Sequence, residues 1–173
     1  LTGSNWAFLQ KLSDPTPAPG DFSANSVSIS GNKAVVGVER GKVGSNSYQG
    51  YINLYELNGG TWMFKQRVTD PTGAAFDFFG NSVSISGDYL IAGDQEDYIG
   101  TNTSQGSASI YFYNGTTWVW IQKLTDPTGR TFDNFGNNVS ISGNYALVGA
   151  SWSDPGPYGA RGSATIYQRV GLG

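Results

Sequence analysis

Residues 76–89 read FDFFGNSVSISGDY, and the same pattern returns at residues 132–145 as FDNFGNNVSISGNY. A looser copy, DFSANSVSISGN, occupies residues 21–32. Corresponding residues lie 56 positions apart in both steps, and the three copies align without a gap. A fixed period of this size marks a repeat architecture, in which one structural unit is built several times along the chain.

Each repeat predicts four short strands. In residues 83–86, VSIS, apolar and hydroxyl side chains alternate, which is the pattern of a strand with two unlike faces. The continuous apolar run at 90–93 predicts a strand buried on both faces, and residues 109–113 predict the next strand. Another strand is expected after each tryptophan that opens a unit, at residues 8–12, 64–68 and 120–124. No helical periodicity of useful length occurs, so the predicted fold class is all-β.

The strands that follow the tryptophans all stop at Asp-Pro-Thr, which begins at Asp14, Asp70 and Asp126. Aspartate before proline starts a turn, because its side chain bonds to the backbone two residues on and proline fixes φ. We therefore interpret these aspartates as turn formers. The chain is predicted to be one repeat domain, residues 1–173, with three four-stranded antiparallel units: 6–61, 62–117 and 118–173.

Composition excludes several classes of partner. The 173 residues carry a net charge of −3 and only 13% charged side chains, and the ten Lys and Arg residues form no cluster. Nucleic acids and anionic membranes both require a basic footprint, so neither is an expected partner. No apolar run approaches the length that crosses a bilayer, so we expect no membrane span.

The repeated residues resemble the FG-GAP type of β-propeller repeat. Phe79-Gly80, the Val-Ser-Ile-Ser-Gly run after it, and residues 106–111, GSASIY, carry the resemblance, which extends over three consecutive copies. The first unit departs from it, with Ser23-Ala24 in place of Phe-Gly and Val38 in place of alanine. The resemblance implies propeller blades, an extracellular or cell-surface location, and a role in adhesion or in ligand or sugar binding.

Members of this family often carry a calcium loop with aspartate at alternating positions followed by glycine. The sequence lacks that pattern; the nearest approach is Asp94, Glu96 and Asp97, in one unit only. Hard oxygen ligands in a loop could hold calcium. We favour a solvated acidic loop and expect no cofactor.

The chemistry of catalysis is poorly represented. The chain has no histidine and no cysteine, which removes the commonest general base, the commonest metal ligands and the thiol nucleophile. A pair of carboxylates suffices for glycoside hydrolysis, but Asp77 and Asp133 recur at the same framework position. We interpret them as structural residues that bind nearby backbone groups, and we expect no enzymatic activity.

In FG-GAP blades the strand after the tryptophan resembles the outermost one. The segment at about residues 6–12 would then complete a blade whose inner strands belong to another copy or to a longer chain. The last strand would likewise lack its outer partner, and an open edge is a template for association. Two copies could close a ring of about six blades, or the same contact could propagate as a filament. The residues expected to mediate self-association are Trp6, Phe8, Leu9, Leu12, Ala164, Ile166 and Tyr167.

Four aromatic residues, Tyr48, Tyr98, Trp152 and Tyr158, do not recur with the period and lie in the loops that vary between units. Exposed aromatic residues there would suit sugar or protein recognition. Two functions follow: a self-associating adhesion scaffold, or a multivalent carbohydrate-binding lectin. A lectin should repeat its binding residues in every blade, whereas these loops diverge, so the pattern favours the scaffold.

Overall fold

The computed structural model describes residues 5–21, 23–154, 159 and 161–171. Over these residues the chain has eleven strands and no helix, which confirms the all-β fold class. The strands are β1 (Val27–Ser30), β2 (Lys33–Val38), β3 (Tyr51–Asn58), β4 (Thr61–Val68), β5 (Val83–Ser86), β6 (Tyr89–Asp94), β7 (Ser107–Tyr113), β8 (Trp118–Leu124), β9 (Phe135–Ser142), β10 (Tyr145–Ala150) and β11 (Ser163–Gln168).

The strands form three antiparallel sheets, and neighbours in sequence are neighbours in each sheet. β1–β4 form blade 1, β5–β8 form blade 2, and β9–β11 form blade 3, which has three strands within the described residues. β4 and β8, which contain Trp62 and Trp118, are the outermost strands of their blades. The sheets are therefore propeller blades of the expected kind, in an arrangement that is not closed.

The hydrophobic core lies between the blades. One buried cluster joins blade 1 to blade 2 and includes Ile52, Phe79 and Trp118. A second cluster joins blade 2 to blade 3 and includes Ile110, Leu124 and Phe135. Each blade thus buries its apolar surface against its neighbour, as repeat proteins do, and no single blade has a core of its own.

The alternating serines of the repeat have a defined role at these junctions. Ser28 Oγ in β1 accepts a hydrogen bond from the backbone amide of Ile85 in β5 at 3.2 Å. Ser84 Oγ accepts one from the amide of Ile141 at 3.1 Å. The hydroxyl face of each inner strand therefore covers backbone donors on the following blade, which would otherwise be left without partners.

Glycine is required where the blades approach most closely. A Cβ built on Gly93 in β6 would lie 1.9 Å from the carbonyl oxygen of Gly136 in blade 3. Gly37 stands in the same relation to Gly80, at 2.1 Å. Gly149, the same repeat position in blade 3, would meet nothing closer than 3.6 Å. The difference arises because no blade follows blade 3 among the described residues, so none covers Gly149.

The segment at about residues 6–12, expected to complete a blade of another copy or of a longer chain, forms no ladder within this chain, and its pairing stays a prediction. The described segment 5–21 contains no strand. Its position corresponds to β4 and β8, the outer strands of blades 1 and 2. A strand is stable only when its backbone pairs with a sheet edge, and the described chain supplies no such edge beside this segment.

Candidate functional site

The open surfaces at the two ends of the blade row are the most distinctive candidate site. On blade 3, Ile166 in β11 is 70% exposed, whereas Ile110, at the same position in blade 2, is 8% exposed. On blade 1, Val27 in β1 is 66% exposed, whereas Val83 is 7% exposed. These side chains occupy buried positions of the repeat and are exposed because the adjoining blade is absent from the described chain.

The residues expected to mediate self-association lie at these surfaces. Trp6 is wholly exposed, and Phe8 and Leu9 are largely exposed, while Leu12 is half-buried. In β11, the outer edge on the far side from β10 has no partner strand among the described residues. Ala164 and Ile166 are exposed there, and Tyr167 is half-buried.

Two glutamines each bind both the backbone amide and the backbone carbonyl of a tryptophan in the outer strand of a blade, and we call this pair of hydrogen bonds a glutamine clamp. Gln66 Oε1 accepts a hydrogen bond from the backbone amide of Trp118 at 2.8 Å, and Gln66 Nε2 donates to the Trp118 carbonyl at 2.9 Å. Gln10 holds the backbone of Trp62 in the same way, at 2.9 and 2.8 Å. The segment that contains Gln10 is therefore already in place against blade 1, although it forms no ladder.

A partly buried ion pair ties the first Asp-Pro-Thr turn to blade 1. Arg67 Nη2 lies 2.6 Å from Asp14 Oδ1, and Tyr51 and Asn53 donate hydrogen bonds to Asp14 Oδ2 at 2.8 and 3.0 Å. Burial raises the pKa of Asp14, but these bonds, the Thr16 amide and the Arg67 charge outweigh burial. The pKa of Asp14 is therefore below its ordinary value, and the carboxylate stays charged.

Blade 2 carries a more acidic version of this arrangement. Lys123 Nζ lies 2.9 Å from Asp70 Oδ2 and 2.5 Å from Asp97 Oδ2. Burial lowers the pKa of Lys123, but its bonds to these two carboxylates outweigh burial and raise it. Asp94 is fully buried beside them, and neither carboxylate oxygen has a hydrogen-bond partner among the described residues. Burial, and then the charges of Asp97 and Asp77, raise the pKa of Asp94 well above its ordinary value.

The metal candidates are only partly brought together. Carboxylate oxygens of Asp70, Asp94 and Asp97 lie within 4.8 Å of one another. Glu96 is not part of this cluster; its Oε1 accepts a hydrogen bond from Asn134 Nδ2 at 3.2 Å. Asp70 joins the cluster instead. Because Lys123 already supplies a cation between two of the carboxylates, and burial favours a neutral Asp94, the electrostatic demand for a metal ion is small.

The repeated carboxylates accept hydrogen bonds from nearby backbone amides, as their recurrence in every unit predicted. Asp70 Oδ1 accepts a hydrogen bond from the Thr72 amide at 2.8 Å, and Asp14 and Asp126 do the same in their own turns. Asp133 Oδ2 accepts one from the Arg130 amide at 2.6 Å. The predictions of turn formers and of backbone-binding framework carboxylates are confirmed.

The aromatic residues of the variable loops are dispersed over the three blades. Tyr48 stacks on Phe78, with ring centroids 6.0 Å apart, and borders a cavity of about 310 Å³ that Arg40 also lines. Tyr98 and Trp152 are exposed, and the described residues make no ring contact with either. Tyr158 lies outside the described residues. A binding role for these aromatic residues stays a prediction.

Three blade sheets packed face to face, with the loops and outer surfaces left accessible, define an open β-propeller module. Residues 62–111 and 118–167 match the model of the FG-GAP repeat. These two segments make up more than half of the chain, and the chain belongs to the FG-GAP repeat family. The match begins with the second unit and so leaves out the one whose residues depart from the pattern. No curated protein matches the sequence.

Two sets of site residues escaped the sequence prediction. Gln10, Gln66, Arg67 and Lys123 contact other segments of the chain, so no local pattern reveals their partners. Their recurrence every 56 residues was nevertheless visible. The members are Gln10, Gln66 and Gln122, and Lys11, Arg67 and Lys123. In the described part of the chain, no helix is long and apolar enough to span a bilayer.

Proposed function

We propose that the chain is a non-enzymatic adhesion module that assembles with copies of itself by exchanging its outer strand. One observation carries the proposal. Residues 5–12 have the sequence of an outer strand and no ladder, while β11 has an inner partner and, among the described residues, no outer one. The segment of one copy would pair with β11 of another, so that the unpaired edge is covered.

The faces of the end blades support the same arrangement. Ser140 and Ser142 in β9 are exposed. Ser140 occupies the position from which Ser28 and Ser84 bind an amide of the next blade, and Ser142 occupies that of Ser30 and Ser86. On blade 1, no side chain of the described chain accepts from the backbone amide of Ile29, the counterpart of Ile85. Blade 3 of one copy thus offers acceptors where blade 1 of another offers donors.

The assembly would be either a ring or a filament. Two copies joined reciprocally supply six blades, which is within the usual range of about four to eight. If the rotation between successive copies does not close, the same contact continues as a fibre. Either product presents the variable loops several times over, which suits attachment to an extracellular or cell-surface partner.

We also propose that the module works without enzymatic chemistry or a cofactor. The absence of histidine and cysteine removes the usual bases and nucleophiles. The buried carboxylates are engaged in turns, framework bonds and ion pairs. Asp94, the carboxylate without hydrogen-bond partners, is fully buried and has no access to a substrate.

Solution mass tests the proposal. Sedimentation velocity and light scattering should give twice the 18.4 kDa of the chain, or a larger polymer, with negative-stain images showing rings or fibres. A variant that lacks residues 1–12 should be a folded monomer by the same measurements and by circular dichroism.

A loop substitution provides the matched control. Tyr98→Ala removes an exposed aromatic residue in the loop of blade 2, outside the proposed interface, and should leave the mass unchanged. A wild-type chain that is monomeric at micromolar concentrations would refute the self-association. So would a truncated variant that still associates.

A lectin is the second candidate function. The observation that favours it is the pair of exposed loop aromatics, Tyr98 and Trp152, together with the cavity beside Tyr48. Aromatic faces of this kind bind sugar rings by stacking. Glycan-array binding that is lost in Tyr98→Ala or Trp152→Ala would favour the lectin, whereas an array without signal for the wild type would remove this candidate.

A further inference from the structure

The junction between blades 1 and 2 shows how an outer strand is anchored. Trp118 is only 5% exposed there, and its ring lies against Tyr113 with centroids 5.4 Å apart. Gln66 binds its backbone amide and carbonyl. The space that remains beside Trp118, next to Leu54 and Tyr55, is about 10 Å³. A tryptophan and a glutamine clamp together fill this junction.

The next junction is lined by the corresponding repeat positions, with Arg169 in place of Tyr113, and no tryptophan is among its lining residues. A cavity of about 120 Å³ lies between blades 2 and 3, lined in part by Ile110, Gln122, Tyr167 and Arg169. Gln122 is the counterpart of Gln66, yet its side-chain amide has no hydrogen bond to the described residues. The repeat position that fills the first junction is shared by Trp6, Trp62 and Trp118, and Trp6 is wholly exposed.

An acidic depression lies beside β11, at its Ser163 end. A cavity of about 540 Å³ is bordered by Asp126 and the hydroxyl residues Ser163 and Thr165. The Ser163 hydroxyl is buried without a hydrogen-bond partner among the described residues. Three carboxylates and one arginine contribute charge at its border: Asp126, Asp133, Asp154 and Arg130.

The corresponding slots in the other blades each hold a basic side chain from an outer strand. Arg67 pairs with Asp14 at 2.6 Å, and Lys123 pairs with Asp70 at 2.9 Å. At Asp126 the basic residue of the same repeat position would be Lys11. It is exposed, and it lies five residues after Trp6, the spacing that separates Trp62 from Arg67.

We propose that a second copy of the chain inserts Trp6 between blades 2 and 3 and Lys11 beside Asp126, and that these two anchors set the register of the exchanged strand. This inference rests on the proposed self-association. Gln122 would bind the Trp6 backbone as Gln66 binds that of Trp118. Because a one-residue slip would withdraw both anchors together, the pair selects a single register.

Charge exchange between copies tests the ionic anchor. Lys11→Asp and Asp126→Lys each place like charges in the slot and should raise the Kd of association at least about 10-fold. A mixture of the two variants should form a hetero-assembly, because each copy then meets an opposite charge at every joint. The double variant Lys11→Asp/Asp126→Lys should associate by itself, and Lys42→Asp, an exposed change elsewhere, should have no effect. Because Asp126 also accepts a hydrogen bond from the Thr128 amide in its own turn, circular dichroism should be recorded for every variant to verify the fold.

Substitution of Trp6 tests the other anchor independently of the charges. Trp6→Ala alters a side chain that is wholly exposed in the structure, and it should raise the Kd at least about 10-fold with the fold unchanged.

The outcomes separate the inference from the function it rests on. A monomeric wild type refutes both. A wild type that associates through residues 1–12, with no rescue in the mixture and no effect of Trp6→Ala, refutes the anchors and leaves the strand exchange standing. Association through some further segment of a longer chain would appear as association that these variants do not alter, which also refutes the anchors.

Discussion

The hydroxyl of Tyr111 in β7 donates a hydrogen bond to the backbone carbonyl oxygen of Thr69 at 2.8 Å. Thr69 lies directly before the Asp-Pro-Thr turn that connects blade 1 to blade 2. Tyr55 makes the same contact with Ser13, at 2.9 Å. A tyrosine in the third strand of a blade therefore holds the segment that arrives from the preceding outer strand, and this includes the segment that has no ladder.

Removing the Tyr111 hydroxyl should weaken the connection between the blades. Tyr111 is almost fully buried, and Tyr111→Phe leaves the Thr69 carbonyl without that donor, at a cost of about 1–2 kcal/mol in the free energy of unfolding. Tyr145→Phe, at an exposed position, should cost almost nothing. Urea unfolding followed by tryptophan fluorescence measures both; equal effects of the two changes would contradict the assigned role.

The two related glycines should respond differently to alanine. Gly93→Ala forces a methyl group into the Gly136 carbonyl and should destabilise the fold by about 3 kcal/mol or more. Gly149→Ala meets ordinary contacts within the chain and should leave monomer stability almost unchanged. In the proposed assembly, however, blade 1 of another copy covers Gly149, so this change should abolish association. Thermal unfolding and sedimentation, run in parallel, distinguish the two; association that persists in Gly149→Ala would contradict blade-to-blade docking.

The buried carboxylates of blade 2 predict an unusual dependence of stability on pH. Burial raises the pKa of Asp77 to about 6 and that of Asp94 well above its ordinary value. Between the unfolded and the folded pKa, the native state binds more protons than the unfolded state. Stability is therefore greatest below the unfolded pKa and is lost as the pH rises through the folded one.

Each of these groups contributes a slope of at most about 1.4 kcal/mol per pH unit. Asp94→Asn removes one of the two titrations and should flatten the fall in unfolding free energy as the pH rises above the ordinary carboxyl pKa. The measurement is denaturant unfolding over a pH series, made in the Gly149→Ala background so that association does not contribute. A variant with the wild-type slope would show that Asp94 does not titrate in this range.

Lys123 should matter far more than an exposed lysine. Lys123→Gln leaves the Asp70 and Asp97 carboxylates without their cation and should cost about 2–4 kcal/mol near neutral pH. Lys65 pairs with Glu56 at 3.3 Å but is largely exposed, and Lys65→Gln should cost less than about 1 kcal/mol. If the loss in Lys123→Gln is caused by uncompensated charge, acidification should reduce it. A loss that is independent of pH would point to packing of the lysine stem instead.

Sequence patterns predicted the strands and their recurrence, because these depend on residues that are close together in the chain. The alternation in Val83–Ser86 predicted a strand with two unlike faces, and the 56-residue period placed equivalent strands in every unit. The hydrogen-bond partners of the serine hydroxyls were not predictable, because these partners are backbone amides of the next blade. The pairing of residues 6–12 stays a prediction for a related reason: strand propensity is local, but a ladder requires a second edge.

The same limit applies to the candidate site. Asp94 and Asp97 were visible as an acidic pair, but Asp70 and Lys123 come from other segments and join them only through the fold. Blade 1 has Val38 and blade 3 has Ala150 at the position of Asp94. The departure from an apolar position was the available signal that Asp94 is buried.

The hydroxyl-to-amide bonds between inner strands run in one direction only, from each blade to the one after it. If two copies met through identical faces, the serines of blade 3 would have no amides to cover and the amides of blade 1 no acceptors. The two ends of the blade row are consequently different, since blade 3 presents hydroxyl acceptors and blade 1 presents backbone amide donors. Copies that join through these faces therefore do so head to tail, with blade 3 of one against blade 1 of the next.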